Sequence, residues 1–214
     1  MAAVLFAANA AAQVAPRDVQ KRVEDCAESG FSWLACAQGI ERQALPSPGI
    51  ARSRHVLSIQ TPGRTLRLVD EIDSTGYQTV AYSYLGRVGP AQHHVVLRMQ
   101  HESSEHLLID SRSGRMARMP AYPVVSPDGR HFVAASADLT AGFQPNVIEV
   151  WSALSTGFRR EAVFKPVWGP DSASWTAAER VDVAKICLLP TDAEPKPCGH
   201  AQLVREGGRW RLVD

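Results

Sequence analysis

Segments whose side chains fall on two faces with a period of two recur over much of the chain, as in residues 79–85, where Val80, Tyr82 and Tyr84 share one face and Ala81, Ser83 and Leu85 share the other. That period is typical of β-strands, whose side chains point alternately to the two faces of a sheet. Turn residues such as Pro62-Gly63 and Gly207-Gly208 separate alternating segments and indicate hairpins. The pattern predicts an all-β body of about a dozen strands, with strands at residues 56–61, 64–69, 79–85, 94–100, 106–110, 147–151, 201–205 and 209–213.

The front of the chain has a different period. Between residues 16 and 45, apolar residues recur every three or four positions, as Trp33, Ala37 and Ile40 do. Gly30 divides this region and suits the end of a helix. We therefore predict a small N-terminal helical hairpin that packs on the body.

These patterns divide the chain into three parts. Residues 1–12 are predicted to be the remnant of a signal peptide, residues 13–45 the helical hairpin, and residues 53–214 the all-β body. A linker rich in proline and glycine, residues 44–49, joins the last two parts. Two hundred residues can bury one sizeable core, so the body is expected to be a single domain.

A segment of the body is repeated forty-three positions further along, because residues 114–135 align without a gap with residues 157–178. In the first copy, Ser126-Pro127-Asp128-Gly129 suits a type I turn. The run Phe132-Val133-Ala134-Ala135 is apolar on both faces and predicts a strand that is covered on both sides. The second copy is predicted to form the same turn and strand. The residues to which the repeat assigns a structural role are Gly114, Pro123, Pro127 and Asp128 in the first copy and Gly157, Pro166, Pro170 and Asp171 in the second.

This repeat resembles the TolB-like, WD-type class of β-propeller blade, whose pattern is roughly P-x-W-S-P-D-G before an apolar strand. The two copies read PVVSPDG and PVWGPDS, so each departs from that pattern, and the resemblance covers about residues 105–180. It implies a mainly β fold of antiparallel propeller-blade-like sheets, each of four strands. The alternative is a β-sandwich or an open sheet that reuses one hairpin pair.

The first twelve residues indicate export. They form an apolar run that is too short to span a bilayer, and Ala10-Ala11-Ala12 before Gln13 fits a signal-peptide cleavage site. The alternative is a buried apolar N-terminal helix, because no Lys or Arg precedes Arg17. We expect an exported protein, periplasmic or secreted, that does not span the membrane.

Four cysteines fit an oxidising compartment. Of the three possible pairings, the simplest joins Cys26 to Cys36 and Cys187 to Cys198, which closes two short loops. Neither spacing resembles a zinc motif. No cofactor is expected.

The charged residues of the sequence do not indicate a polyanionic partner. The 23 Lys and Arg residues against 22 Asp and Glu leave a net charge of +1, without a long run of like charge. We therefore expect no nucleic-acid partner and, without a basic amphipathic helix, no binding to membrane surfaces.

Two histidines are candidate metal ligands. A hairpin with its tip at Ser103-Ser104 would place His101 opposite His106, at about 5 Å between Cβ atoms. A transition-metal site needs three or more ligands, so a solvated polar tip is the preferred interpretation of the pair. No metal site is assigned.

No catalytic residue is assigned either. Ser126, Asp128 and His131 have the residue types of a catalytic triad, but the predicted turn accounts for the first two. The carboxylates of Asp70, Glu71 and Asp73 lie in a loop, where exposure is expected. Phosphate-binding glycine loops and a nucleophile elbow are absent from the sequence.

Two functions remain open. The favoured one is a non-catalytic, exported binding module that contacts another protein or an envelope component through loops at one end of a β scaffold. Residues 138–146 and 191–198 are the predicted contact loops, while Trp151 and Trp175 are assigned to the core and Trp168 to packing between blades. The alternative is an envelope hydrolase or metal-dependent enzyme that uses the hairpin of His101 and His106.

Overall fold

A computed structural model describes residues 19, 22, 33–45, 47–72, 79–100, 103–190 and 193–214. Within these ranges the chain forms helix α1 (Trp33–Ala44) and fifteen strands. The strands are β1 (Ile50–Ser53), β2 (Val56–Gln60), β3 (Thr65–Val69), β4 (Ala81–Val88), β5 (His93–Met99), β6 (Ser104–Ile109), β7 (Met116–Met119), β8 (Val124–Val125), β9 (His131–Ser136), β10 (Val147–Leu154), β11 (Gly157–Phe164), β12 (Gly169–Ala177), β13 (Arg180–Cys187), β14 (Lys196–Glu206) and β15 (Arg209–Val213).

The strands form four antiparallel sheets that follow one another along the chain. Sheet 1 contains β1–β3, sheet 2 β4–β7, sheet 3 β8–β11 and sheet 4 β12–β15, each in sequence order. Short connections join neighbouring strands, which favours this simple up-and-down order. The predicted mainly β, antiparallel class is confirmed, and the sheets do not close into a barrel.

The sheets pack face to face, so the inner sheets are apolar on both sides. In β9, Phe132 and Ala134 belong to the core shared with sheet 2, whereas Val133 belongs to the core shared with sheet 4. A third core, which contains Leu57 and Val96, joins sheet 1 to sheet 2. The predicted strand covered on both sides at residues 132–135 is therefore confirmed.

The outer faces of the first and last sheets are mainly polar, although each carries an exposed valine, Val69 and Val213 respectively. Ser58 and Arg67 point away from the core in sheet 1, because the buried positions of β2 and β3 are Leu57, Ile59, Leu66 and Leu68. In sheet 4, Asp182 and Gln202 lie opposite each other on the outer face. Polar outer faces let a stack of sheets end in water without closing on itself.

The two copies of the repeat agree at their start and differ at their turn. Gly114 precedes β7 and Gly157 begins β11, the last strands of sheets 2 and 3, and both have positive φ. Pro123 precedes β8, and Pro166 lies three residues before β12. Both glycines thus lie at or just before the start of the last strand of their sheet, with φ angles of 69° and 131°.

The predicted second turn is wrong. Pro127 and Asp128 form the turn before β9, which Gly129 closes with φ 70° and an N–H donated to Ser126 O at 2.9 Å. Pro170 and Asp171 instead lie inside β12, where the ladder has a bulge. The second copy has serine where the first has Gly129, and serine disfavours positive φ.

The predicted covered strand of the second copy is also wrong at its end. Thr176 and Ala177 are exposed and Trp175 is only partly buried, although the indole packs on the core between sheets 3 and 4. These residues are exposed because sheet 4 is the last of the stack and has only one covered face.

A buried ion-pair network fixes α1 to the sheets. The Arg52 guanidinium donates to both carboxylate oxygens of Glu41 at 2.7 and 2.8 Å and to Asp70 at 3.0 Å. Glu41 and Asp70 also accept the backbone N–H groups of Tyr84 and Tyr82. The expected exposure of Asp70 is therefore wrong, since Arg52 and Tyr82 draw that carboxylate inward; Glu71 is exposed, and Asp73 lies outside the described residues.

One predicted disulfide is confirmed and the other is partly described. Cys187 and Cys198 are bonded, which ties the end of β13 to the start of β14. Cys36 is disulfide-bonded as well, whereas Cys26 lies outside the described residues. Residues 1–12, the predicted signal-peptide remnant, also lie outside the described residues. Among the described residues, no helix has the length and apolar character that crossing a membrane requires.

The molecule has two distinct ends. We call one the turn end, because the short turns 61–64, 110–115, 126–130, 155–156 and 207–208 lie there. Neighbouring turns touch, as when Gly63 N donates to Arg112 O at 2.7 Å. The opposite end, the loop end, carries the connections 137–146, 165–168 and 188–195, of which 191 and 192 are not described.

Candidate functional site

The loop of residues 137–146 is held in one shape by the carboxylate of Asp138. Its Oδ1 accepts the backbone N–H groups of Thr140, Ala141 and Gly142 at 2.9 to 3.2 Å, and its Oδ2 accepts that of Gln144 at 2.8 Å. These bonds favour the charged form and lower the pKa of Asp138 to about 2. The loop is therefore ordered by local bonds that persist over the whole physiological pH range.

Two amide side chains fasten this loop to the sheets on either side. Asn146 Nδ2 donates to the carbonyl oxygens of Pro166 and Trp168, both at 2.9 Å, before β12. The side-chain amide of Gln144 donates to Ser104 O at 2.9 Å and accepts from Ser104 N at 2.6 Å, at the start of β6. The loop thus bridges sheets 2, 3 and 4.

Phe143 lies on this loop with half of its surface exposed. It lines a groove of about 650 Å³ that runs between sheets 2 and 3 at the loop end. Met119 and Val163 add apolar wall on the two sides. A large aromatic ring held in the open by a rigid loop is an arrangement suited to recognition, since little conformational entropy is lost on binding.

The groove also carries charge, and its acids are already paired. Glu149 accepts from Arg160 at 2.8 Å and from Trp151 Nε1 at 2.9 Å. Glu105 lies 3.4 Å from Arg118 and also accepts from Arg98 at 2.8 Å. In both pairs the carboxylate is the more buried partner and the groove-lining guanidinium the more exposed one, so the exposed charges of the groove are cations, including Lys165.

A second apolar area lies beside the groove at the loop end. Val167 is 97% exposed, and Leu188 and Leu189 are exposed after β13. Below them Trp168 is buried in the core between sheets 3 and 4 and donates its Nε1 to Asp214 at 3.1 Å. The assignment of Trp168 to packing between sheets is confirmed, and Trp151 packs on the core between sheets 2 and 3.

The histidine hairpin does not have the predicted register. His106 lies opposite Leu97 in the ladder of β5 and β6, because the reversal occupies residues 100–103 rather than Ser103-Ser104. His106 is buried, with its ring edge to face on Tyr122, and burial lowers the pKa of its imidazole to about 4. His101 lies outside the described residues. Among the residues that are described, no three His, Cys, Asp or Glu side chains are grouped to hold a metal ion.

Ser126, Asp128 and His131 come together as a turn. Ser126 Oγ donates to Asp128 Oδ1 at 2.6 Å and accepts the backbone N–H of His131 at 2.9 Å. The imidazole of His131 takes no part in this bonding: it packs on Trp175 and Trp210, with its Nε2 3.6 Å from Glu161. The serine hydroxyl is therefore held by the Asp128 carboxylate as part of the turn, and it does not have the hydrogen bond to an imidazole that a serine–histidine pair requires.

A search of protein-family models, of curated proteins and of solved structures found no match to this chain. The assignment of function consequently rests on the residues themselves.

Sequence reasoning located part of the groove. The loop 138–146 was predicted as a contact loop from its exposure, whereas Arg118, Arg160 and Lys165 carried no signal, since they lie on different strands or beyond them. The internal bonding of Asp138 had a recognisable cue, because Asp followed within a few residues by Thr and Gly is typical of such side-chain-capped turns.

Proposed function

We propose that this protein is a non-catalytic binding module that holds a partner protein or an envelope component in the groove between sheets 2 and 3. The observation that supports it most directly is the exposed ring of Phe143 on a loop anchored at Asp138, Gln144 and Asn146. Aromatic residues in well-formed depressions are the commonest energetic centres of protein interfaces.

The chemistry of the groove favours binding over catalysis. Its two carboxylates are neutralised by arginines, and its remaining polar groups are amides, hydroxyls and the exposed ammonium group of Lys165. A general acid or base needs a titratable side chain that is poised rather than paired.

The proposal includes export to the periplasm or the outside of the cell. The disulfide between Cys187 and Cys198 is consistent with an oxidising compartment. The apolar residues 1–12 with their small-residue site supply the second argument. The TolB-like resemblance of residues 105–180 remains a further proposal, and non-enzymatic recognition is what it implies.

A photo-crosslinking experiment tests this function. A photoreactive residue is placed at position 143 in one variant and, as a matched control, at position 69 in another, since Val69 is similarly exposed but lies on the outer face of sheet 1. We expect the same envelope component to be captured from position 143 and not from position 69. Capture of identical material from both positions would contradict the proposal.

The captured component, once purified, gives a quantitative test. Phe143→Ala is expected to weaken its binding by about 2 kcal/mol, or roughly thirtyfold in Kd. Val69→Ala is expected to leave Kd unchanged. An unchanged Kd for Phe143→Ala would exclude the groove as the binding site.

A further inference from the structure

The turn end of the molecule is covered with arginines that are scattered along the sequence. One or two arginines lie at or beside the turns of each of the four sheets, and all are exposed. The six that we group as the turn-end arginines are Arg64, Arg112, Arg115, Arg130, Arg180 and Arg209.

These arginines form a continuous surface across sheets 1 to 3. The Arg64 guanidinium of sheet 1 donates to Gly114 O of sheet 2 at 3.1 Å. A Cβ atom at Gly157 of sheet 3 would lie 3.3 Å from Arg115 Cβ of sheet 2. The tightness of these contacts fixes the turns, and hence the cations, side by side.

The cationic surface extends from sheet 3 to sheet 4, because two tryptophans of sheet 4 form hydrogen bonds with sheet 3. Trp210, which follows Arg209, donates its Nε1 to Glu161 of β11 at 3.0 Å. Trp175, close to the turn before Arg180, donates to Val124 O of β8 at 2.8 Å. These bonds hold the turns of sheet 4 level with those of sheet 3.

Little negative charge offsets these cations. None of the six forms an ion pair with a carboxylate in the described part of the chain. Three exposed acids lie at this end, and each already has a partner. Glu179 lies 3.6 Å from Arg205, Glu206 lies 3.7 Å from Arg211, and Asp128 accepts from Ser126 Oγ at 2.6 Å and from the backbone N–H of Arg130 at 3.1 Å.

The spread of the arginines decides what kind of anion they can bind. Packed sheets are about 10 Å apart, so four sheets extend the row over roughly 30 Å. One small anion would reach only one or two of these guanidinium groups. A surface that carries many phosphates would reach all of them, because each guanidinium binds phosphate oxygens with a planar pair of donors.

We propose that the turn end is a docking surface for a membrane that contains anionic phospholipids. Two exposed apolar side chains stand beside the arginines, Met116 at the start of β7 and Leu154 at the end of β10. Cations flanked by apolar side chains suit the boundary between headgroups and acyl chains. The groove lies at the opposite end and would face away from the membrane, open to a partner.

A nucleic acid fits the same surface less well. Single strands bind where aromatic rings are exposed for stacking, and the aromatic side chains close to these turns are buried, as Phe132 and Trp210 are, or partly buried, as Phe158 is. The membrane is therefore the occupant that the geometry favours.

Sedimentation with lipid vesicles tests the inference. The full exported chain is mixed with vesicles of phosphatidylcholine alone or with 30 to 40% phosphatidylglycerol, roughly the anionic content at which such charge effects are strong. We expect binding only to the anionic vesicles, and its loss at 1 M salt, where the screening length falls to about 3 Å. Binding that is equal on neutral vesicles, or absent from both, would overturn the proposal.

Charge-reversal variants locate the surface. Arg112→Glu combined with Arg130→Glu should lower the partition coefficient on anionic vesicles about thirtyfold or more. The matched control, Arg54→Glu with Arg67→Glu, makes the same change in net charge at the loop end and on the outer face of sheet 1, and should have a much smaller effect. Equal losses in the two variants would mean that net charge alone drives binding, and would refute a specific docking surface.

Two competition measurements separate the membrane from other anions. Inorganic phosphate at constant ionic strength should not displace the protein, and displacement at millimolar phosphate would indicate a free-anion site instead. Duplex DNA should bind more weakly than the vesicles. A tighter complex with DNA that depends on Arg112 and Arg130 in the same way would show that the ligand of this surface is a nucleic acid and not a membrane.

Discussion

Phe132 and Val133 are neighbours in β9, yet their side chains belong to two different hydrophobic cores. Phe132 packs edge to face on Phe158, towards sheet 2, with ring centroids 5.8 Å apart. Val133 points the other way and packs with Val181 and Leu203 of sheet 4. A single strand therefore couples three sheets, and stability should be most sensitive to substitution here.

The substitution Phe132→Ala should destabilise the protein by about 3–5 kcal/mol, because it leaves a cavity at a fully buried position. Urea unfolding measures the change. Phe143→Ala, at the exposed ring, is the control and should change the free energy of unfolding by less than about 0.5 kcal/mol. Similar values for the two variants would contradict the assignment of Phe132 to a tightly packed core.

Replacing the buried acid of the helix anchor should also be costly. Glu41→Gln removes the charge that faces Arg52, and we expect the free energy of unfolding to fall by about 3 kcal/mol. This value is at the low end for buried ion pairs, because Asp70 still contacts that guanidinium. Glu206→Gln removes an exposed partner of Arg211 and should cost no more than about 0.5 kcal/mol. Equal costs would show that the network around Glu41 is not the anchor of α1.

Removal of the disulfide at the loop end tests a different source of stability. The bond between Cys187 and Cys198 closes a loop of eleven residue steps, and replacing both cysteines by serine should cost about 3 kcal/mol through the greater freedom of the unfolded chain. Thermal unfolding without reductant compares the variant with the parent. An unchanged Tm would mean that the segment between the two cysteines is already restricted in the unfolded chain without the disulfide.

Stability should rise with pH between about 4 and 6.5. Burial lowers the pKa of His106 to about 4 in the folded protein, whereas an unfolded histidine titrates near 6.5. Between these values the unfolded chain binds the additional proton, so lowering the pH through this range favours unfolding, by about 3 kcal/mol for His106 at its full extent.

The variant His106→Phe isolates that contribution. It should unfold with a weaker dependence on pH between 4 and 6.5, while His94, whose pKa burial also lowers to about 4, retains its own share. Urea unfolding at pH 4.5 and 7 measures the difference. A slope identical to that of the parent would contradict the burial of His106.

Local patterns were sufficient for the secondary structure of most of the body. The hairpins at Pro62-Gly63 and Gly207-Gly208 and the doubly covered strand at residues 132–135 follow from turn chemistry and from the period of the side chains. These features depend on interactions between residues that are close in sequence.

Two of the wrong predictions concern one turn that lacks a glycine and one hairpin whose register depends on burial. Pro170-Asp171 carries the turn dipeptide of Pro127-Asp128, but without a glycine like Gly129 the chain continues through β12 with a bulge. In the same way the residue pattern placed the hairpin at Ser103-Ser104, whereas the ladder between β5 and β6 pairs Leu97 with His106. The register was decided by burial of the two strands against their neighbouring sheets.

By itself, the sequence determined the antiparallel β class, the positions of most hairpins, one disulfide and the loop that carries Phe143, because each depends on residue types at short spacing. Only the tertiary structure decided that Arg118, Arg160 and Lys165 line one groove, that Asp70 is buried beside Arg52, and that six scattered arginines share one end. Residues far apart in a chain become neighbours only through the packing of one sheet on the next, and that packing is set by the summed burial of whole faces rather than by any local pattern.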